Sequence, residues 1–149
     1  MRERLRSTFK ASLDEALQSA IAPVDKYQQL CSKETDPTTE TTLQKTTGET
    51  IWLPSQNEIF GAIASAANKS ERLTTIDGYA PFQYQAYAGN GGSLTNAKAL
   101  KTFNGAAAFW WTRSVCWDTT YAFCTVRSTM NPSNGIASGD IGVAPCFAL

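Results

Sequence analysis

Residues 31–49 read CSKETDPTTETTLQKTTGE, a run of threonines and charges in which Leu43 is the one substantial aliphatic. Such a composition buries too little apolar surface to offset the entropy of ordering it, so the segment is expected to be a linker or an extended arm lying on a neighbour. A core must therefore be assembled from what lies on either side. This divides the chain into an N-terminal part, 1–30, for attachment or oligomerisation, the threonine-rich arm, 31–49, and one globular domain, 50–149. At 149 residues there is room for one such domain and an appendage.

In the N-terminal part Leu5, Phe9, Leu13, Leu17 and Ile21 recur at every fourth position, with Ala16 and Ala20 widening the stripe. The spacing predicts one amphipathic helix from Arg2 to Ala22, stopped by Pro23. Its apolar stripe packs either on its own domain or on another subunit, and the pattern does not choose between them. An apolar stripe of this kind suits a trimer, although strict heptads are missing.

The globular part begins with a short apolar strand at Ile51-Trp52-Leu53. Pro54 and Ser55 then turn the chain into a helix, with Ser55 as N-cap and Glu58 three residues later completing a capping box. Ile59, Phe60 and Ile63 form its buried face. Further strands are expected at 82–85, from Ala108 to Ser114, from Tyr121 to Arg127 and from Ile141 to Leu149. Ala88-Gly-Asn-Gly-Gly-Ser93 reads as a loop and Asn131-Pro132-Ser133-Asn134-Gly135 as a turn cluster. Short strands, long loops and two helices without a βαβ rhythm describe an α+β domain on antiparallel sheet.

Thirteen basic and thirteen acidic side chains balance to zero, which removes the electrostatic footprint of a nucleic-acid or anionic-membrane partner. The chain has no histidine, so imidazole is missing as base, metal ligand and near-neutral switch. Cys31, Cys116, Cys124 and Cys146 lack the paired CxxC spacing of zinc sites. Buried thiols are expected of them; a disulfide between Cys116 and Cys124, which a hairpin can bring near each other without making them directly opposite, is the alternative. A cysteine nucleophile lacks a histidine partner, and Asp118 and Asp140 stand apart rather than in an acidic calcium loop. No enzymatic activity, metal or other cofactor is expected. No apolar run of signal-peptide or membrane-spanning length follows the basic start Met-Arg-Glu-Arg-Leu-Arg, which argues against independent export.

Ile51-Trp-Leu-Pro-Ser-Gln-Asn-Glu-Ile-Phe-Gly61, Trp110-Trp-Thr-Arg-Ser114, Phe123-Cys-Thr-Val126 and Gly142-Val-Ala-Pro-Cys-Phe-Ala-Leu149 together resemble the DUF6273 type of domain found in gut-bacterial and phage proteins. That pattern runs approximately W-L-x-S-x-x-E-x-x-G, then W-W-L-R-S, then G-V-R-P-x-F. The resemblance covers roughly residues 50–149. Thr112 stands where an aliphatic is usual, and Ala144 where a basic residue is, which removes any basic partner for the sheet at that end.

The resemblance implies a C-type-lectin-like fold, similar to ligand-binding domains of phage adhesins and of variable proteins diversified by retroelements. There the Trp-Trp and Gly-Val-x-Pro segments form a rigid scaffold, and side chains between them are displayed. The residues agree in part: Trp52, Trp110 and Trp111 lie in apolar strands and are expected in the core. Arg113 is expected to pair with a carboxylate or with strand-end carbonyls inside the scaffold. Ligand contact falls to Trp117, Asp118, Thr119, Thr120, Tyr121, Arg127, Asn131, Ser133 and Asn134, which combine aromatic area with adaptable hydrogen bonding. A Trp117–Tyr121 cross-strand pair closing the hairpin is the simpler alternative for those two aromatics.

These features lead to the expectation of a phage virion or tail structural protein, assembled in the host cytoplasm and displayed on the outer face of the particle. Its partners would be other virion subunits, reached through the N-terminal helix in a homo-oligomer, and a host-surface glycan or protein. A purely architectural decoration or tail-completing subunit is the alternative, and a bacterial surface-associated binding module a second one.

Overall fold

The computed structural model describes residues 1–30, 42–61, 83–89, 93–116 and 121–149. Expectations for 31–41, Ile63, Phe82 and Trp117–Thr120 lie outside them. The elements in order are α1 (Arg2–Arg4), continued by a π-helical turn at Leu5–Phe9, α2 (Glu15–Ala20), β1 (Val24–Leu30), β2 (Thr42–Glu49) and α3 (Gln56–Phe60). There follow β3 (Thr102–Phe103), β4 (Ala106–Ala107), β5 (Trp110–Val115), β6 (Ala122–Val126), β7 (Pro132–Ile136) and β8 (Gly142–Val143). Helices and short, mostly antiparallel strands make this an α+β protein.

The expected single N-terminal helix is broken after its first half. Ser12 Oγ donates to the Phe9 carbonyl, and the Asp14 carboxylate accepts from the Ala16 amide to cap α2. Short polar side chains that bond their own backbone compete with the helical ladder, and here they interrupt it. The apolar stripe nevertheless finds a partner within the same chain. Leu5 and Ile21 are buried with Ile51, Leu53 and Trp111, and Phe9 and Leu13 pack against that cluster.

The largest sheet runs β7-β6-β5-β8, with β5 antiparallel to β6, β6 antiparallel to β7 and β8 parallel to β5. Consecutive side chains of a strand point to opposite faces. Trp110 accordingly enters a cluster with Ile59, Phe60, Tyr87, Ala99 and Val126, while Trp111 enters the cluster of Leu5, Ile51 and Leu53 on the other face. Trp110 is 1% exposed, and its indole N–H donates to the Ala99 carbonyl at 3.1 Å. The core expectation for Trp52, Trp110 and Trp111 holds, since all three are buried.

Several elements differ from expectation. In place of the strand expected at 82–85, Gln83 and Tyr84 are irregular and Gln85–Tyr87 is a short 3₁₀ turn, and the strand expected at Ile51–Leu53 is reduced to one bridge at Trp52. Residues 42–49 of the anticipated arm form β2, paired antiparallel with β1 from Val24↔Glu49 to Leu30↔Thr42. Threonine is unfavourable in a core yet well suited to a pleated strand, and the pairing satisfies the backbone that composition alone leaves bare. The turn cluster at 131–135 gives way to β7, which runs Pro132↔Val126 to Ile136↔Ala122 along the sheet edge. Proline is tolerated there because it begins an edge strand. The last apolar segment is strand only at Gly142–Val143, although isolated bridges tie Cys146 to Trp52 and Ala148 to Ala22. A small β3–β4 hairpin turns through Asn104 (φ 50°) and Gly105 (φ 79°), the left-handed pair that two-residue hairpin turns require.

The docking of the first helix on its own sheet has a measurable consequence. Leu5→Ala is expected to lower unfolding stability by about 2–3 kcal/mol in urea titrations of the full chain. An unchanged midpoint would show that the stripe is not packed against Ile51 and Trp111.

Candidate functional site

The capping box forms as expected. Glu58 N donates to Ser55 Oγ at 3.2 Å, and Ser55 N donates back to Glu58 Oε2 at 2.8 Å. Gly61, with φ 76°, ends α3 in a conformation that residues with a side chain rarely adopt. The first amide of α3, Gln56 N, donates to Ser114 Oγ at 2.9 Å, and Arg113 N donates to the Pro54 carbonyl at 3.1 Å. Two sequence motifs thus meet as one joint between α3 and β5.

The joint is locked by charge. Arg113 grips Glu58 with both terminal nitrogens: Nη2 donates to Oε1 at 2.8 Å and Nη1 to Oε2. Nη1 also donates to the Leu53 carbonyl at 3.0 Å, while Nη2 and Nε donate to the Tyr27 carbonyl of β1 at 3.2 and 3.4 Å. Every N–H direction of the guanidinium fork is thereby used. The side chains are 2% exposed for Glu58 and 12% for Arg113. Arg113 meets a carboxylate, as expected, and its backbone partners are a carbonyl in the middle of β1 and one just before α3 rather than strand-end carbonyls.

Lys26, on β1, stands beside the pair. Its ammonium lies 3.6 Å from Glu58 Oε1, donates to the Tyr84 hydroxyl at 2.5 Å and sits 4.0 Å from the centre of the Trp52 ring. The Trp52 indole N–H also donates to Tyr84 Oη, at 3.0 Å. Burial alone would raise the Glu58 pKa, but the Arg113 hydrogen bonds and charge, the Tyr84 hydroxyl and the Ser55 amide outweigh it and hold the carboxyl below its ordinary value. Burial pulls Lys26 below its ordinary value, against the attraction of Glu58 and with the help of Arg113. Burial first, then the Glu58 charge, pushes the Tyr84 phenol and the Cys146 thiol upward. At neutral pH both are therefore protonated.

Next to this network is a cavity of about 370 Å³ whose walls include Leu5, Ile51, Leu53 and Trp111, with Lys26 and Arg113 at its polar side. Glu49 also lines it and is held by Arg6, with Nη2 3.0 Å from Oε1 and Nε donating to Oε2 at 3.2 Å. Sequence reasoning missed Lys26, Glu49 and Tyr84, because no local pattern marks them. Their roles exist only once β1 and β2 are paired and brought to β5.

Of the ligand contacts expected from sequence, the described ones flank β6 or lie at and on β7. Trp117, Asp118, Thr119 and Thr120 lie outside the described residues. Tyr121 is 65% exposed immediately before β6. Arg127 and Asn131 are at the other end of that strand, about 20 Å away at ordinary strand rise. There the Arg127 amide donates to the Asn131 carbonyl and Arg127 Nε donates to Ser133 Oγ, both at 2.9 Å. Ser133 is buried and its carbonyl accepts from Gln56 Nε2 at 3.0 Å, so it belongs to the scaffold. Asn134 is exposed on β7 opposite Cys124. Tyr121 and the group of Arg127, Asn131 and Ser133 thus stand at opposite ends of β6.

The two departures from the motif have local explanations. Thr112 is buried, but its hydroxyl donates to the Cys124 carbonyl at 2.8 Å, so a polar group is satisfied where an aliphatic is usual. Ala144 packs against the cluster containing Trp110. Cys116 and Cys124 are buried thiols, Cys146 is a partly buried one, and Cys31 lies outside the described residues. Among the described residues no group of three or more metal-ligating acids or thiols converges, and no helix is long and apolar enough to cross a membrane.

An α+β scaffold joined through Ser55, Glu58, Gly61, Arg113 and Ser114 is what the ordered motifs encode. The chain belongs to the DUF6273 family, a domain of unknown function, whose pattern matches residues 1–149. The match therefore includes the N-terminal helices and the β1–β2 pair as well as the region that carries the motifs. No curated protein and no solved structure matches the chain.

Removing the Glu58 charge leaves Arg113 and Lys26 facing each other in a buried site. Glu58→Gln is expected to cost about 3–5 kcal/mol in urea unfolding at pH 7. The pH dependence follows from the lowered carboxyl. Glu58 stabilises the fold above the ordinary carboxylate value of 4.5, and that contribution is lost as pH falls through the lower folded value. Between pH 7 and pH 3 the variant should therefore lose less stability than the wild type. Parallel pH profiles would contradict this assignment.

Proposed function

We propose that this protein is a non-catalytic component of a phage particle whose C-type-lectin-like domain displays surface side chains to a host-cell glycan or protein. The observation that carries the reading is the division of labour among residues. The motif residues Trp52, Ser55, Glu58, Trp110, Trp111, Arg113 and Ser114 are buried or spent on internal bonds, whereas Tyr121, beside the segment 117–120, is open to solvent. Motif residues that hold shape leave recognition to the variable surface around them. The protonated states of Tyr84 and Cys146 and the full engagement of Glu58 support a holding role over a proton-transfer or nucleophilic one. A net charge of zero suits contact with neutral sugars or protein subunits.

The architectural alternative rests on a different observation. Phe109 and Val143 are exposed, and the Gly142 amide donates to the Phe109 carbonyl, so apolar side chains are presented where β8 meets the chain entering β5; Phe103 on β3 is exposed as well. Such surface suits burial against other subunits. The apolar stripe of the N-terminal helix is already engaged at Leu5 and Ile21, so attachment in either reading uses another face of that segment.

The test is adhesion of the native assembly to host cells and to a glycan array. Trp117→Ala with Tyr121→Ala is expected to reduce binding at least about tenfold while leaving the melting temperature within a few degrees. Undiminished infectivity of the double variant, with no glycan or cell binding by the wild type, would overturn the recognition role.

A further inference from the structure

The sulfurs of Cys116 and Cys124 lie 3.8 Å apart, at van der Waals contact, with both residues buried. Cys116 follows the last residue of β5, and its amide donates to the Ala122 carbonyl at 3.4 Å. Cys124 lies in the middle of β6, and its thiol donates to the Val115 carbonyl at 3.5 Å. The two are diagonal rather than directly opposite, a relation that ordinarily leaves side chains too far apart to bridge. Here the register of β5 against β6 shifts between Trp111 and Val115. The strand irregularity draws the diagonal pair together, and Cys116, Ala122 and Cys124 form a small buried cluster of their own.

We propose that Cys116 and Cys124 are a thiol pair that becomes an intrachain disulfide when the protein meets a low-molecular-weight disulfide such as oxidised glutathione. Closure needs about 1.8 Å of approach to reach the ordinary sulfur–sulfur bond length. One thiolate attacks a glutathione sulfur and expels the first glutathione thiolate, giving a mixed disulfide. The second cysteine thiolate attacks the protein sulfur of that intermediate and expels the second. Two cysteine thiols are oxidised, one glutathione disulfide is reduced to two thiols, and the two protons lost by the protein are taken up by the departing thiolates. Access to the buried sulfurs comes from local opening at the end of β5. The bridge closes a loop of residues 117–123. In a reducing cytoplasm the pair stays reduced, and outside it the bridge persists.

The experiment uses the full chain, purified under reductant and transferred to oxidised glutathione, both directly and through a cycle of unfolding and refolding in the same buffer. After acid quenching, denaturation and alkylation, cleavage at Arg113 and Arg127 releases Ser114–Arg127, which carries both cysteines. The expected product is that peptide unalkylated and about 2 Da lighter than its dithiol form, restored to the doubly alkylated form by prior reduction. The chain with Cys31→Ser and Cys146→Ser should give the same product, and Cys124→Ala should abolish it. The oxidised protein should melt about 5 °C higher. A doubly alkylated peptide after both treatments, stable glutathione adducts in place of the internal bridge, or linkage of either cysteine to Cys31 or Cys146 would each overturn the assignment.

Discussion

The Glu58–Arg113 pair is the contact on which the arrangement of the other elements depends. It joins residues 55 apart in sequence, and through the remaining Arg113 donors it fastens Leu53 and β1 to the same point. Burying two ions is costly, and their attraction offsets that cost only when the geometry is good and the other hydrogen-bonding positions are filled. Both conditions are met here. The fork of Arg113 is fully engaged, while Glu58 also receives the Ser55 amide and the nearby Lys26 ammonium. An arginine suits this position because its five N–H donors make the five bonds found here, whereas a lysine ammonium has three and cannot grip both carboxylate oxygens and reach both carbonyls.

This pair explains why the motif residues occur together. Ser55 caps α3 and thereby fixes the carboxylate three residues on, and Ser114 accepts the first α3 amide beside the arginine. Trp110 and Trp111 then fill the two faces of the strand that carries Arg113. The core on each side of the sheet and the polar joint between them are consequences of one stretch of β5. Neither would be placed correctly if α3 approached at another angle.

What was legible in the sequence was local. The capping box needs only residues 55 and 58, and Trp52, Trp110 and Trp111 declare themselves as core by sitting in apolar runs. The kind of partner Arg113 would seek followed from its chemistry, but the identity of Glu58 depended on a contact across 55 residues that spacing does not reveal. The β1–β2 pair was illegible because threonine-rich composition suits both a linker and a strand, and only the partner decides. Asn131-Pro132-Ser133-Asn134-Gly135 carries strong turn chemistry, yet the edge of an existing sheet overrides it. Asn104-Gly105 is the reverse case, a dipeptide whose local chemistry and the observed β3–β4 hairpin agree.

The scaffold therefore accounts for the motif residues, which are spent on internal contacts. The claim that Glu58 and Arg113 act as one unit is tested most directly by a double-mutant cycle with Glu58→Gln, Arg113→Met and their combination, measured by urea unfolding at pH 7. The account predicts a coupling energy of about 2–3 kcal/mol, with the double variant scarcely less stable than the worse single one. Strict additivity of the two losses would contradict it.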